Sequence, residues 1–211
     1  LEESERKRLD SERLAAIGTL ASSLAHEIRN PLNAMSLLLS RLELGKSSDA
    51  VKGQVTKDLR GEIRRLDELV SNILDYARPL ILKPQTLDLV GLVKNTLELY
   101  VGVFEGKQIR YEFSSTSRVI KLQMDPDRVK QALVNLIQNA IDAMSAKGCL
   151  EVHVLQEGTQ ARVVLRDDGV GLPSSQSTGR LFDLFFTTKE KGTGLGLSTV
   201  KKIMDAHRGE V

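Results

Sequence analysis

Three groups of residues in this chain combine types and spacings that could do chemistry. The first is centred on His26 in the segment LAHEIRNPLNAM, which begins at Leu24. On a helix, His26 points about 200° away from Leu24. Thr19, Ser22, Asn30 and Asn33 lie four or seven residues to either side and share one polar stripe with it. Two chemistries fit: a solvated surface histidine, or a nucleophile, since neutral imidazole attacks phosphorus well and titrates near neutral pH. A nucleophile needs an orienting carboxylate, and Glu27 is the candidate, although adjacent residues do not face each other on a helix. No second His or Cys lies at ligand spacing, so a metal site does not fit. Pro31 brings no N–H to the carbonyl of Glu27 and favours a bend just beyond the histidine.

The second group is Gln131, Asn135, Asn139 and Asp142, at spacings of four, four and three. Stacked asparagines offer carbonyl oxygens suited to Mg²⁺ and amides suited to phosphate; a polar surface stripe would have the same spacing. The third group is rich in glycine. Asp167-Asp168-Gly169-Val170-Gly171 places a carboxylate, able to accept from an exocyclic amine, beside backbone that can approach a ligand closely; it also reads as a simple turn. Gly192-Thr193-Gly194-Leu195-Gly196-Leu197 opens the last helix, where backbone N–H groups can gather an anion. It lacks the GK[ST] ending of a Walker loop, and no strand immediately precedes it as a dinucleotide fingerprint requires.

These groups must be held by elements that hydrophobic spacing reveals. Ile17, Leu20, Leu24, Ile28, Met35, Leu38 and Leu42 form one helical seam within residues 1–44. Val55, Leu59, Ile63, Leu66, Val70, Ile73 and Ala77 form a second. Gly45-Lys46-Ser47-Ser48-Asp49 turns the chain between them, with Asp49 expected as the cap of the second helix. Short connections favour an antiparallel hairpin, and two narrow seams call for a second copy to complete a four-helix bundle. The mixed-charge start (1–13) suits a coiled-coil helix arriving from an upstream segment. Residues 14–78 then form the hairpin domain and 79–87 a linker. The 88–211 stretch reads as a two-layer α/β domain, giving an α+β chain overall. In it, helices are predicted over 88–101, 125–144 and 195–206, and strands over 109–113, 119–122, 150–155 and 162–166. Asp125-Pro126 is a helix start. His153 and His207 are expected to be structural.

Of 211 residues, 41% are hydrophobic and 27% charged, which excludes a disordered chain. Thirty Lys and Arg against 28 Asp and Glu leave a formal charge of +2, too little for a broad nucleic-acid footprint. One cysteine, Cys149, excludes an internal disulfide framework. No apolar run approaches the roughly 20 residues of a membrane span, and the start carries no signal-peptide pattern, so a cytoplasmic fragment without membrane contact is expected.

Together, in this order, the motifs resemble the cytoplasmic core of a bacterial sensor histidine kinase, closest to the nitrogen-regulation type, over nearly all of the chain. LAHEIRNPLNAM resembles the phospho-acceptor box. The resemblance implies that His26 is phosphorylated, that Glu27 assists proton transfer and that Asn30 helps dephosphorylate the partner. NLIQNAIDAM resembles the asparagine box, implying Asn139 on Mg²⁺ and Asn135 beside it. DDGVG resembles the first glycine box, with Asp167 on adenine and Gly169 and Gly171 beside it. LFDLFFTTK resembles the phenylalanine box of the lid, with Phe182, Phe185 and the nucleotide-binding Lys189. GTGLGL resembles the second glycine box, placing Gly192, Thr193, Gly194, Leu195, Gly196 and Leu197 around the phosphates. Implied with these are ATP and Mg²⁺ as cofactors, a homodimer, transfer to a response regulator's receiver domain and phosphatase activity toward it. Where related ATPases carry a water-activating Glu, this chain has Asn135, which disfavours simple hydrolysis. The family's domain continues with further strands beyond its last helix, so a sheet lacking an edge is expected here.

Overall fold

The computed structural model describes residues 25, 27–42, 48–77, 80–144, 146–172, 178–189 and 192–211. They divide into two compact units, with the chain boundary between Pro79 and Leu80.

In the first unit, residues 27–42 form helix α1, which continues through a buried Pro31, and Asp49–Ala77 form α2. Asp49 is the first helical residue rather than the expected cap: the carbonyl of Ser48 accepts from Lys52 N–H at 3.1 Å, and the Asp49 carboxylate lies 3.7 Å from the Lys52 ammonium. There it complements the positive end of the helix dipole. Val55 and Leu69 are 2% and 3% exposed, whereas Ile63, Val70 and Leu74 of the same helix are 56%, 41% and 54% exposed. The seam predicted through Ile63 and Val70 is therefore divided between an inward and an outward row.

The second unit begins with a strand where a linker was expected: β1 (Gln85–Asp88), antiparallel to β3 (Lys121–Met124), with Leu87 opposite Leu122. Asp88 then caps α3 (Leu89–Glu98), its carboxylate accepting from the N–H groups of Val90 and Gly91 at 3.1 Å and from that of Ile120 at 2.9 Å. The helix predicted over 88–101 ends at Glu98, and a second one, α4 (Val101–Lys107), follows after a turn. Phe104 of α4 is 2% exposed against Tyr100 and Tyr111. Gln108 ends α4 in the left-handed conformation.

The main sheet holds three strands in the order β2 (Arg110–Ser115), β4 (Cys149–Glu157), β5 (Gln160–Asp167). β2 and β4 are parallel, joined through β3 and α5 (Pro126–Ala143), while β4 and β5 form an antiparallel hairpin. Leu150, Val152 and Val154 alternate inward from β4 and are at most 1% exposed. They pack with Val93 and Leu97 of α3 and Ile137 and Ile141 of α5, which makes the unit a sheet covered by helices. Each such side chain contributes about 1.5–3 kcal/mol of burial. The last helix, α6 (Gly196–Ala206), lays Val200 and Ile203 against Ala132 of α5. Among the described residues, no helix is long and apolar enough to cross a membrane.

α5 and α6 are also tied by polar contacts. Asp125, 4% exposed, caps α5 by accepting from Arg128 N–H at 3.1 Å, and also accepts from Lys83 N–H at 2.7 Å. Burial opposes its charge, but these backbone donors outweigh it and hold its pKa below the ordinary 3.8. His207, just past α6, lies with Nδ1 2.8 Å from the carbonyl of Ile203, while Nε2 accepts from Asp125 N–H at 3.0 Å. That confirms a structural role for His207.

Candidate functional site

The apolar positions of α5 face the sheet, so its remaining face presents Asn135, Asn139 and Asp142 toward α6 and the segment before it. Asn135 Nδ2 donates to the carbonyl of Gly196 at 3.3 Å. A Cβ at Gly196 would sit 3.8 Å from Asn139 Nδ2, so the first turn of α6 lies against both amides. The Lys189 ammonium donates to Asn139 Oδ1 and to Asp142 Oδ2, each at 3.0 Å. Asp142 Oδ1 accepts from Gln138 Nε2 at 2.7 Å. A carbonyl oxygen and a carboxylate oxygen thus converge on one cation. Asp142 also reaches Tyr100, whose hydroxyl is pushed above its ordinary pKa, mainly by burial and further by this charge.

At the end of β5 the two aspartates part in role. Asp168 Oδ1 accepts from Cys149 N–H at 2.7 Å, and Asp168 N–H donates to the carbonyl of Cys149 at 3.3 Å, which fastens β5 to the start of β4. The Asp167 carboxylate is exposed and, among the described residues, accepts only from the local Gly169 N–H, at 3.0 Å. Val170 N–H donates to the carbonyl of Ala143 at 3.1 Å, and a Cβ at Gly169 would lie 2.6 Å from that oxygen. The turn carrying Asp167 is thereby pressed onto the last residue of α5. Gly171 has φ +71° with open space around it.

The second glycine run serves two purposes. Gly194, at φ +64°, leaves no room for a Cβ against the backbone of Phe185, whose N–H donates to the Gly194 carbonyl at 3.1 Å. A Cβ at Gly192 would overlap Thr187 Oγ1, and Gly192 N–H donates to the Lys189 carbonyl at 3.2 Å. Packing of residues 185–189 already requires these two glycines, independently of any ligand. Gly196 is the one that faces the asparagines. Leu195 is 3% exposed, so its side chain belongs to the core; Thr193 and Leu197 are half-buried.

His26 lies outside the described residues. Glu27 is half-buried on α1, and burial raises its pKa above 4.5, with Arg65 of α2 acting in the opposite sense. Asn30, one turn further, is exposed. Arg65 and the Lys189–Asp142 pair escaped sequence reasoning, because neither lies at a spacing that announces contact.

Residues 124–211 match the family of histidine kinase-, DNA gyrase B- and HSP90-like ATPases, and residues 16–79 match the His Kinase A (phospho-acceptor) domain. The chain is 34% identical over 200 residues to sensor histidine kinase ZraS of Escherichia coli (strain K12), an alignment covering 95% of this chain and 43% of that protein. Histidine kinase ThkA, solved in complex with response regulator protein TrrA, superposes with a TM-score of 0.85 at 28% identity, over 99% of this chain and 60% of ThkA. The isolated, nucleotide-free ThkA catalytic domain gives 0.56 at 30% identity, over 59% of this chain and 82% of that domain. The chain thus spans less than half the length of ZraS. With a phospho-acceptor domain followed by an ATPase-type nucleotide domain, the chain belongs to the histidine kinase family.

Proposed function

We propose that this chain is the ATP-dependent autophosphorylating core of a cytoplasmic two-component signalling enzyme. The reading rests chiefly on Asn139 Oδ1, an uncharged oxygen that accepts from the Lys189 ammonium beside the first turn of α6. An oxygen donor that already accepts from a positive charge fits Mg²⁺, which keeps several waters and takes its remaining ligands from phosphates. Asn139 would hold the metal and Asn135 would lie beside it. The metal, when bound, neutralises charge on the β- and γ-phosphates. Asp167, free of the fastening task that Asp168 performs, would accept from the adenine amine, with Gly169 and Gly171 allowing close approach. Gly196 and the glycine segment before it would line the phosphates, and Lys189 would add a mobile positive charge.

In the transfer step, the neutral imidazole of His26 attacks the γ-phosphorus. A nitrogen–phosphorus bond forms as the bond to the ADP oxygen breaks, and the proton of the opposite ring nitrogen passes toward Glu27. Burial makes Glu27 a stronger base than an exposed carboxylate. Asn30, an amide with no useful basicity, would orient a water for hydrolysis of the partner's acyl phosphate. The partner is a response regulator receiver domain, in keeping with the ThkA–TrrA complex. The outward row of Ile63, Val70 and Leu74, spaced seven and four, supports a second copy of this chain as the other half of a four-helix bundle.

The deciding experiment is incubation with γ-labelled ATP followed by acid and base treatment. Acid-labile, base-stable label on the protein supports the proposal. Free phosphate without protein label would replace it with a gyrase-type ATPase, and neither product would leave a nucleotide-binding scaffold.

A further inference from the structure

We infer that Asp142 is a positioning residue that latches the Lys189 segment over the cation site, so that Mg²⁺–nucleotide must displace an ammonium in order to bind. The inference rests on the nucleotide reading above and concerns a residue outside the phospho-acceptor and adenine machinery. Lys189 Nζ lies 3.0 Å from Asn139 Oδ1, the oxygen expected to hold Mg²⁺, and 3.0 Å from Asp142 Oδ2. Metal on that oxygen at about 2.1 Å would bring a dication within a few ångströms of the ammonium, and two cations do not share one neutral donor. The main chain that carries the ammonium is itself held in place. Lys189 N–H donates to Thr187 Oγ1 at 3.1 Å, and the Lys189 carbonyl accepts from Gly192 N–H at 3.2 Å. The side chain thus starts from a fixed point on the short segment that packs on Gly192 and Gly194, and Asp142 holds its far end over Asn139.

The latch strength follows from its surroundings. The two side chains are 36% and 39% exposed, so the ion pair is screened. Gln138 already orients Asp142 through Oδ1 and remains one turn away when the pair breaks. A pair of this exposure shifts a binding equilibrium about two- to fivefold.

The test measures calorimetric affinity for Mg²⁺ with a non-hydrolysable ATP analogue in the full chain, in Asp142→Asn, Lys189→Gln and the double variant. Acetylation of Lys189 without nucleotide, read by mass spectrometry, supplies a second readout. Asp142→Asn is expected to tighten binding two- to fivefold, to have no effect in the Lys189→Gln background, and to raise Lys189 acetylation at an unchanged melting temperature. Weaker binding in Asp142→Asn, an equal effect in both backgrounds, or unaltered Lys189 reactivity would overturn the latch alone. If the unsubstituted chain bound no nucleotide, the nucleotide reading itself would fall and the latch with it.

Discussion

Asp167 and Asp168 are adjacent carboxylates that the structure gives opposite tasks, and replacing each separately measures the division. Asp167→Asn removes the charge at an exposed turn whose backbone is held elsewhere, by Val170 N–H on Ala143. Its one local acceptor bond, from Gly169 N–H, survives in an asparagine. Stability should therefore change by about 0.5 kcal/mol or less. If the carboxylate accepts from adenine, the loss of a charge-assisted hydrogen bond costs about 1.5–3 kcal/mol of binding, or roughly ten- to hundredfold in affinity. Asp168→Ala should do the reverse. It deletes the acceptor for Cys149 N–H and loosens the join between β4 and β5. Water can still reach that exposed edge, so the cost is about 1–2 kcal/mol and the melting temperature falls by roughly 4–8 °C. Calorimetry with an ATP analogue and a thermal melt on both variants complete the comparison. Unchanged affinity in Asp167→Asn, or equal loss of affinity in both variants, would refute the assignment of the adenine contact to Asp167.

His26→Gln is expected to abolish acid-labile labelling while leaving nucleotide affinity within twofold, and stoichiometric label on the variant would refute the assignment. Asn30→Ala should keep autophosphorylation within a few-fold and lose most phosphatase activity toward the phosphorylated receiver, whereas Glu27→Ala should impair the kinase step; equal loss of both activities in Asn30→Ala would contradict this division. Asp125→Ala leaves the N–H groups of Arg128 and Lys83 without their acceptor, at about 2–3 kcal/mol or roughly 8–12 °C in melting temperature. Because the folded-state pKa of Asp125 is depressed, the charge-linked part of this contribution is complete above the ordinary carboxylate value near 3.8 and is lost as pH falls from there through the lower folded-state value, so the gap between the two melting temperatures should narrow in acid. Ile63→Glu should convert a dimer to monomers by light scattering at unchanged helicity, and a monomeric parent chain would remove the basis for the outward apolar row.

Much of the second unit was legible because its signals are local. Asp125-Pro126 announced the start of α5 through cap chemistry and a fixed φ. The alternation Leu150, Val152, Val154 announced β4. β1 was not legible, since Gln-Thr-Leu-Asp is only four residues long with a single β-branched side chain and exists through pairing with β3 and the hold of Asp88 on Ile120. The break between α3 and α4 was hidden because Leu97, Val101 and Phe104 continue helical spacing straight across it. Glycine spacing suggested a ligand cradle throughout the second run, yet Gly192 is packed against the Thr187 side chain and Gly194 against the Phe185 backbone. Long side chains were least legible, because the reach of Lys189 to Asp142 spans 47 positions and leaves no periodic trace.

The fastening of Asp125 also sets an order of events during synthesis. Its partners lie 42 positions upstream, at Lys83, and 82 positions downstream, at His207. A nascent chain that has completed α5 still carries an unanswered Asp125 N–H at the foot of that helix. Loop closure over such a separation comes late, after local helices and the β4–β5 hairpin have formed. The asparagine-bearing helix therefore acquires its final seating only once residue 207 is available. Until then, the surface of Ala132 that Val200 and Ile203 later cover stays open to other hydrophobic chains.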